Sequence, residues 1–157
     1  MTGCVLSAGQ PRVSLKGWSE MKPREIRPKI YWVGAIDWDR RLFDALIPLP
    51  DGTSYNSYLI KGSEKTALID TVDPTMQDVL INHLNQLGIE SIDYVIANHA
   101  EQDHSGAIPH VLGKYPRAKV VATPRAKGIL IDLLMIPEER FITINDKETI
   151  SLGSRTL

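Results

Sequence analysis

Nine consecutive residues near the middle of the chain contain four side chains that commonly bind metal ions. The segment 98–106 reads Asn-His-Ala-Glu-Gln-Asp-His-Ser-Gly, and its candidate ligands are His99, Glu101, Asp103 and His104. In an extended backbone, residues i, i+2 and i+4 point to the same side, so the first three would share a face. His104 breaks this alternation and joins them only if the chain turns, which the following Ser105-Gly106 permits. The spacing therefore predicts a metal site.

The mixture of ligand types narrows the choice of metal. When ionised, the two carboxylates give the cluster a charge of −2, which suits two divalent cations better than one structural zinc ion. Imidazole together with carboxylate is typical of iron, manganese or zinc, whereas calcium and magnesium prefer oxygen ligands only. Glu101 adds a negative charge and a harder donor than a third imidazole would, so we expect it to shift the preference towards iron.

The segments before this loop predict that it lies at one edge of a sheet. The apolar run 94–97 is typical of a buried strand, and open α/β sheets place their sites at the carboxyl ends of strands. Residues 30–33 are β-branched or aromatic and predict an earlier strand. Residues 55–60 and 66–69 predict two strands of a hairpin around a short loop.

A helix with recognisable ends is predicted between the hairpin and the loop. Asp73 can cap its amino end, Pro74 takes its first position, and Gly88 follows its carboxyl end. One face carries the apolar residues at helical spacing together with His83, which we therefore interpret as a core histidine. The members of this face are Met76, Val79, Leu80, His83, Leu84 and Leu87.

After the loop, helices and strands are predicted to alternate. The sequence predicts helices at 106–115 and from Thr123-Pro124 onwards, and strands at 119–122, 141–144 and 148–152. The apolar side of the later helix is assigned to Ile129, Leu130, Leu133 and Leu134. Strands first and alternating helices and strands afterwards predict a layered α/β domain.

Composition limits the remaining possibilities. A chain of 157 residues with a net charge of −1 is one ordinary domain, and this charge argues against nucleic acid or an anionic membrane as the main partner. The single Cys4 cannot form an internal disulfide, and residues 1–29 contain no signal sequence, so a cytoplasmic protein is expected. We expect 1–29 to be an extended, partly disordered lead-in and 30–157 to be a partial domain, because the sequence stops inside the opening of another strand.

The metal-binding loop resembles that of the flavodiiron proteins (A-type flavoproteins), which belong to the metallo-β-lactamase fold superfamily. The resemblance includes the pattern His99-x-Glu101-x-Asp103-His104-Ser105-Gly106 and three earlier segments. These segments are 31–39 (Tyr-Trp-Val-Gly-Ala-Ile-Asp-Trp-Asp), 55–60 (Tyr-Asn-Ser-Tyr-Leu-Ile) and 66–71 (Thr-Ala-Leu-Ile-Asp-Thr). The resemblance therefore extends over roughly 30–157, and it implies that the chain forms the amino-terminal part of an αβ/βα sandwich.

This resemblance implies a non-haem di-iron centre that reduces dioxygen to water or nitric oxide to nitrous oxide. His99 and Glu101 would bind one iron, and Asp103 and His104 the other. Electrons would come from FMN in a flavodoxin-like domain, supplied by rubredoxin, a flavoprotein reductase or a reduced deazaflavin. Members of the family usually form homo-oligomers.

Two features of the sequence differ from that family pattern. Further ligands (a His, a bridging Asp and a final His) are expected downstream, and this sequence contains neither them nor a flavodoxin-like phosphate loop. We therefore expect weak metal binding and little reductase activity from the isolated chain. A metal-dependent hydrolase of the same superfamily and an inactive truncated product are the alternatives.

Three other places in the sequence have a possible role at the site. Asp70 follows a predicted strand and is either an acceptor that supports the metal ligands or a turn residue. His110 is expected to be structural. Residues 37–39 (Asp-Trp-Asp) approach the site or a partner subunit, or they form a surface loop around a packed tryptophan.

Overall fold

The hydrophobic segments of the sequence become the strands and helices of a mixed sheet with helices packed against it. The computed structural model describes residues 21–43 and 45–157. Within these ranges the strands are β1 (Arg24–Arg27), β2 (Ile30–Trp32), β3 (Ala35–Asp37), β4 (Leu42–Phe43), β5 (Ile47–Pro48), β6 (Thr53–Tyr55), β7 (Tyr58–Lys61), β8 (Thr66–Ile69), β9 (Tyr94–Ile96), β10 (Lys119–Ala122) and β11 (Phe141–Thr143). The α-helices there are α1 (Gln77–Gln86), α2 (Gln102–Ser105), α3 (Ile108–Lys114) and α4 (Pro124–Leu134), with short 3-10 helices at Pro74–Met76 and Glu138–Arg140.

One large sheet organises the described residues. Its order is β1-β2-β7-β8-β9-β10-β11, while β3 pairs with β6 and β4 pairs with β5 in two small sheets. The strands from β1 to β8 pair antiparallel, and those from β8 to β11 pair parallel. Strand β8 is thus the junction between the two halves, and the predicted layered α/β architecture is confirmed.

The predicted hairpin is confirmed, with a later start. Strands β7 and β8 pair antiparallel, with Tyr58 opposite Ile69 and Lys61 opposite Thr66. Residues 53–55 belong to β6 and pair with β3 instead. Strand β1 lies inside the segment 1–29 that we expected to be a lead-in, and it pairs with β2. Residues 1–20 of that segment lie outside the described residues.

The core lies between one face of the sheet and the helices. A row of side chains crosses six strands in register on this face. Its members are Tyr31, Leu59, Leu68, Val95, Val120 and Phe141. Leu59, Leu68, Val95 and Val120 are completely buried. Each such side chain contributes roughly 1.5–3 kcal/mol by leaving water.

The helix predicted between the hairpin and the loop forms with the predicted ends. Asp73 Oδ1 accepts from the Thr75 backbone N at 2.9 Å, and Gly88 after the helix has a φ of +61°. The first turn is a 3-10 helix, so α1 proper begins at Gln77. His83 is completely buried and its Nδ1 lies 3.0 Å from the Val33 carbonyl oxygen, which confirms the interpretation of a core histidine.

Two predictions about the later elements are wrong. On α4, Leu130 is buried but Ile129 and Leu133 are 46% and 42% exposed, because only the line through Ala126, Leu130 and Leu134 packs on the core. Residues 148–152 do not form a strand. They turn back at Gly153 and pair with the following residues through a single bridge between Ser151 and Thr156. Among the described residues, none of the helices has the length and apolar character needed to cross a membrane.

Candidate metal centre

The loop that carries the predicted ligands changes conformation halfway along. We call residues 98–104 the metal loop. Glu101 is still extended, with φ −63° and ψ 139°, and α2 starts directly after it. His99 and Glu101 therefore lie on an extended half, while Asp103 and His104 lie on a helical half. The chain turns as the position of His104 required: the change of direction begins at Gln102, where α2 starts, and continues in the turn at Gly106. Asp103 therefore lies on a helix and does not share a face with His99 and Glu101 through strand alternation.

The four predicted ligands come together as two pairs. His99 Nε2 lies 3.4 Å from Glu101 Oε2, and His104 Nε2 lies 3.4 Å from Asp103 Oδ2. The two imidazole rings connect the pairs, with centroids 4.3 Å apart and an angle of 45° between their planes. That these residues bind metal stays a prediction, and their pairing is the one that the resemblance implies.

Asp70 lies at the base of this cluster. Its Oδ2 is 3.8 Å from His104 Nδ1, and its side chain is only 10% exposed. Asp70, His99 and His104 each offer one ligand atom, and these atoms lie within 4.8 Å of one another. Asp70 follows β8 with a φ of +53°, a left-handed conformation that costs a non-glycine residue roughly 1–2 kcal/mol.

Two buried nitrogen atoms of the cluster are free to bind a ligand. Nδ1 of His99 and Nδ1 of His104 are inaccessible and have no hydrogen-bond partner among the described residues. An unsatisfied buried polar atom costs roughly 1–3 kcal/mol, so such atoms are usually paired or bound to a ligand. Two imidazoles beside carboxylates form a donor set suited to iron, manganese or zinc.

The carboxylates of the metal loop open onto a cavity of about 290 Å³. Its lining residues are Arg40, Phe43, Asp73, Glu101, Gln102 and Asp103. Arg40 Nη1 lies 3.5 Å from Asp73 Oδ2, across from the metal loop. Arg40 was not predicted as part of the site, because an arginine in a polar loop belongs to no recognisable motif. Its closeness to Trp38 in the sequence was the single indication.

None of residues 37–39 lines the cavity, but Asp37 holds the neighbouring residue Arg40, which does. Asp37 Oδ1 accepts from the backbone N of Asp39 and of Arg40, at 3.1 and 3.0 Å, which fixes the start of the loop that carries Arg40. Trp38 is 65% exposed, so the expectation of a packed tryptophan is wrong within the described residues. His110 is exposed on α3 and does not join the cluster.

The Asp37 side chain is held in turn by Tyr55. The Tyr55 hydroxyl donates to Asp37 Oδ2 at 3.2 Å, and both residues are buried. Burial, followed by the charges of Asp37 and Asp73, raises the pKa of the Tyr55 hydroxyl above its ordinary value. The hydroxyl therefore stays neutral in the fold at pH values where it would ionise in the unfolded chain.

We expect the Tyr55→Phe variant to lose stability less steeply in alkali than the wild type. A raised folded pKa means that the stabilisation is complete below the unfolded pKa, which is about 10, and is lost as the pH rises further. The variant lacks this ionisation, while at neutral pH it loses about 1 kcal/mol with the hydrogen bond. Urea unfolding between pH 7 and 11.5 measures both effects, and equally steep alkaline declines would contradict this account.

Known proteins resemble this chain in both sequence and structure. Residues 53–157 match the model of the family described as "ODP family beta lactamase". The coenzyme F420H2 oxidase of Methanothermobacter marburgensis is 37% identical over 139 residues, which cover 85% of this chain and 34% of the relative. The anaerobic nitric oxide reductase flavorubredoxin of Vibrio vulnificus is also 37% identical, over 82% of this chain and 26% of the relative.

Solved structures that resemble this chain include proteins of the same kind as these relatives. The flavodiiron protein from Giardia intestinalis has a TM-score of 0.79 and 31% identity, over 87% of this chain and 33% of that protein. The rubredoxin oxygen:oxidoreductase from Desulfovibrio gigas has a TM-score of 0.80 and 32% identity, over 85% of this chain and 33% of that protein. A subclass B3 metallo-β-lactamase, MEM-A1 from a soil metagenome library, matches with a TM-score of 0.66 at 20% identity, which shows the fold alone.

The extent of these matches defines what the chain represents. It spans about a third of the length of the curated relatives that it matches, and it corresponds to the amino-terminal part of its structural neighbours. The family model, the relatives and the structures all lead to the same group. The chain therefore belongs to the flavodiiron (type A flavoprotein) family and contains the amino-terminal part of its metallo-β-lactamase-like domain.

Proposed function

We propose that this chain forms part of the metal centre of an oxidoreductase that reduces dioxygen to water or nitric oxide to nitrous oxide. The observation that carries the proposal is the pairing of His99 with Glu101 and of Asp103 with His104 in adjoining halves of one loop. The printed names of the relatives, an F420H2 oxidase and nitric oxide reductases, support the same reaction class.

The residues of the metal loop have distinct tasks in this proposal. His99 and Glu101 hold one iron, and Asp103 and His104 hold the other. When bound, two irons supply electrons in pairs to a small diatomic substrate. Glu101 is 67% exposed and Asp103 is 23% exposed, so their carboxylates offset the charge of the metal from the cavity side. The cavity of about 290 Å³ is large enough for a diatomic molecule.

Delivery of electrons requires a second module. We propose FMN in a flavodoxin-like domain as the immediate donor, in the same polypeptide or in a partner. Rubredoxin, a flavoprotein reductase or a reduced deazaflavin would reduce the FMN, and a homo-oligomer would bring flavin and iron together. A single cysteine, Cys4, fits work in a reducing cytoplasm.

The test uses the protein purified anaerobically from its source organism. Native mass spectrometry and metal analysis are expected to give a mass well above 17.5 kDa with two irons and one FMN retained. The same sample is expected to consume dioxygen or nitric oxide when a reduced flavin donor is supplied. A mass near 17.5 kDa without metal would contradict the proposal.

The alternative of a metal-dependent hydrolase is tested by the same sample. Its support is the fold likeness to a subclass B3 metallo-β-lactamase. Stoichiometric zinc, hydrolysis of an ester or amide, and no uptake of dioxygen or nitric oxide would favour the hydrolase. In that enzyme a metal-bound water attacks the substrate, and no flavin is needed.

A further inference from the structure

The carboxyl end of β8 contacts both ends of the metal loop. We propose that Asp70 and Thr71, which we call the β8 clamp, are positioning residues that hold the metal loop in its ligand-presenting shape before any metal binds. This inference rests on the proposed function only in taking the metal loop to be a metal site. It adds Thr71, and it gives Asp70, which also offers a ligand atom beside His99 and His104, a task that does not depend on metal.

Asp70 holds the beginning of the metal loop. Its Oδ1 accepts from the backbone N of Asn98 at 2.8 Å, and its Oδ2 accepts from Asn98 Nδ2 at 2.9 Å. These two hydrogen bonds fix Asn98, which immediately precedes His99. The same Oδ2 lies 3.8 Å from His104 Nδ1, so the carboxylate also provides a negative charge beneath the second imidazole. Residues that contact metal ligands without binding the metal themselves orient metal-binding histidines in this way.

Thr71 holds the end of the metal loop. The carbonyl oxygen of His104 accepts from the Thr71 backbone N at 2.6 Å and from Thr71 Oγ1 at 2.8 Å. Two donors on one carbonyl fix the peptide plane of His104 and therefore the direction of its side chain. Val72, the residue after Thr71, extends this contact, because its carbonyl oxygen accepts from the Ala107 backbone N at 3.2 Å.

The β8 clamp is itself anchored in the core of the fold. The Asp70 backbone N donates to the Ile96 carbonyl oxygen at 2.8 Å, and Ser57 Oγ donates to the Asp70 carbonyl oxygen at 2.9 Å. Asp70 is 7% exposed and Thr71 is completely buried. The neighbouring strands β7 and β9 flank β8 on both sides. The loop is therefore tied to a buried strand end in the interior of the sheet.

These contacts involve protein atoms only, so their effect precedes metal binding. A loop that is already ordered loses less conformational entropy when the metal arrives, and it binds more tightly for that reason. Weakening the β8 clamp should consequently lower metal affinity although every proposed ligand remains in place.

Two substitutions test the two halves of the β8 clamp in the 157-residue chain. Asp70→Asn removes the charge but suits the left-handed backbone, and Thr71→Val removes only the hydroxyl. The matched controls are Asp93→Asn and Thr66→Val, near the opposite end of β8, where Asp93 Oδ2 accepts from the Thr66 backbone N at 2.8 Å. Thr71→Ser keeps the hydroxyl and serves as the conservative rescue.

Co²⁺ is the probe, and its binding is followed by the visible absorption of the bound ion. We expect the dissociation constant for Co²⁺ to rise about 10- to 100-fold in Asp70→Asn and Thr71→Val, as for other outer partners of metal ligands. Thr71→Ser and both controls should stay within about threefold of the wild type, on the usual scale of surface changes. Far-ultraviolet circular dichroism verifies that each variant is folded.

A second readout does not depend on the metal. In the metal-free chain, amide hydrogen exchange at Thr71 and Ser105 should be faster in Thr71→Val and Asp70→Asn than in either control. Unchanged exchange and unchanged Co²⁺ affinity in these variants would overturn the β8 clamp, as would equal losses in the controls or no Co²⁺ binding by the wild type. Intact clamp effects in this chain, with neither dioxygen nor nitric oxide reduced by the protein purified from its source organism, would overturn the proposed function instead.

Discussion

Replacing His99 by alanine is expected to lower the affinity of the chain for Co²⁺ or Fe²⁺ by about 100-fold or more. Outer partners of metal ligands are already worth 10- to 100-fold, and His99 is proposed as a direct ligand. Its imidazole lies between Glu101, at 3.4 Å, and the ring of His104, at 4.3 Å between centroids. Without the His99 imidazole, Glu101 has lost its partner. The contact that links the His99–Glu101 pair to the Asp103–His104 pair is then also lost.

The matched control is His110→Ala, which removes an imidazole from the exposed face of α3. Isothermal titration with each ion under anaerobic conditions compares the two variants directly. We expect His110→Ala to bind as the wild type does. Equal affinities of His99→Ala and the wild type would show that the metal loop does not use this histidine.

The Gly106→Ala variant is expected to destabilise the fold by about 1–3 kcal/mol, the usual effect of overpacking. A Cβ atom at this position would lie 2.5 Å from both Cδ and Cγ of Pro74 and 2.6 Å from the Gln102 carbonyl oxygen. A proline ring at the start of a 3-10 helix and a helix carbonyl cannot move aside cheaply. Helix α2 must shift instead, and Asp103 and His104 move with it.

Gly113→Ala is the matched control, because no atom lies within 4 Å of a Cβ atom at Gly113. Gly113 lies in the last turn of α3, where the change should stabilise the protein by at most about 0.5–1 kcal/mol, since alanine favours the helix. Thermal unfolding compares both variants, and Co²⁺ titration shows whether the shift reaches the ligands. A Gly106→Ala variant as stable as the wild type would mean that the contact between α2 and Pro74 is looser than in the structure.

Predictions from sequence succeeded where local signals were strong. Asp73, Pro74 and Gly88 define the ends of the first helix through capping and a left-handed residue, and these signals act within a few residues. The hairpin of β7 and β8 and the strand β9 also follow from short apolar runs. The four candidate ligands were chosen from residue type and spacing alone, and the structure places them as two neighbouring pairs, His99 with Glu101 and Asp103 with His104.

The turn inside the metal loop was not predictable in the same way. Helix α2 has only four residues, Gln-Asp-His-Ser, with no apolar periodicity to reveal it. It is stabilised by contacts far along the sequence, such as Thr71 with His104, which are 33 residues apart. The role of Asp70 towards Asn98, 28 residues away, likewise depends on strand order, which no local pattern specifies.

The errors later in the chain have similar causes. Helical spacing correctly placed Leu130 and Leu134 on one face of α4. Spacing alone does not show how much of the helix surface packs on the core, so Ile129 and Leu133 were assigned to the core as well. Residues 148–152 have strand-like composition. They lack a neighbouring strand in register. They pair across the tight turn at Gly153, and the Leu152 carbonyl oxygen accepts from the backbone N of Glu64 and of Lys65 in the loop between β7 and β8.

The position of the β8 clamp in the chain has a consequence for biosynthesis. Strands β7 and β8 are joined by four residues, so this hairpin forms from local contacts, which is the fastest way to build part of a sheet. Asp70 and Thr71 leave the ribosome well before residues 98–104, and domains fold from the amino end during translation. The β8 clamp is thus synthesised before the segment that it shapes, and strand β9, whose Ile96 carbonyl oxygen completes the anchoring of Asp70, follows immediately before the metal loop.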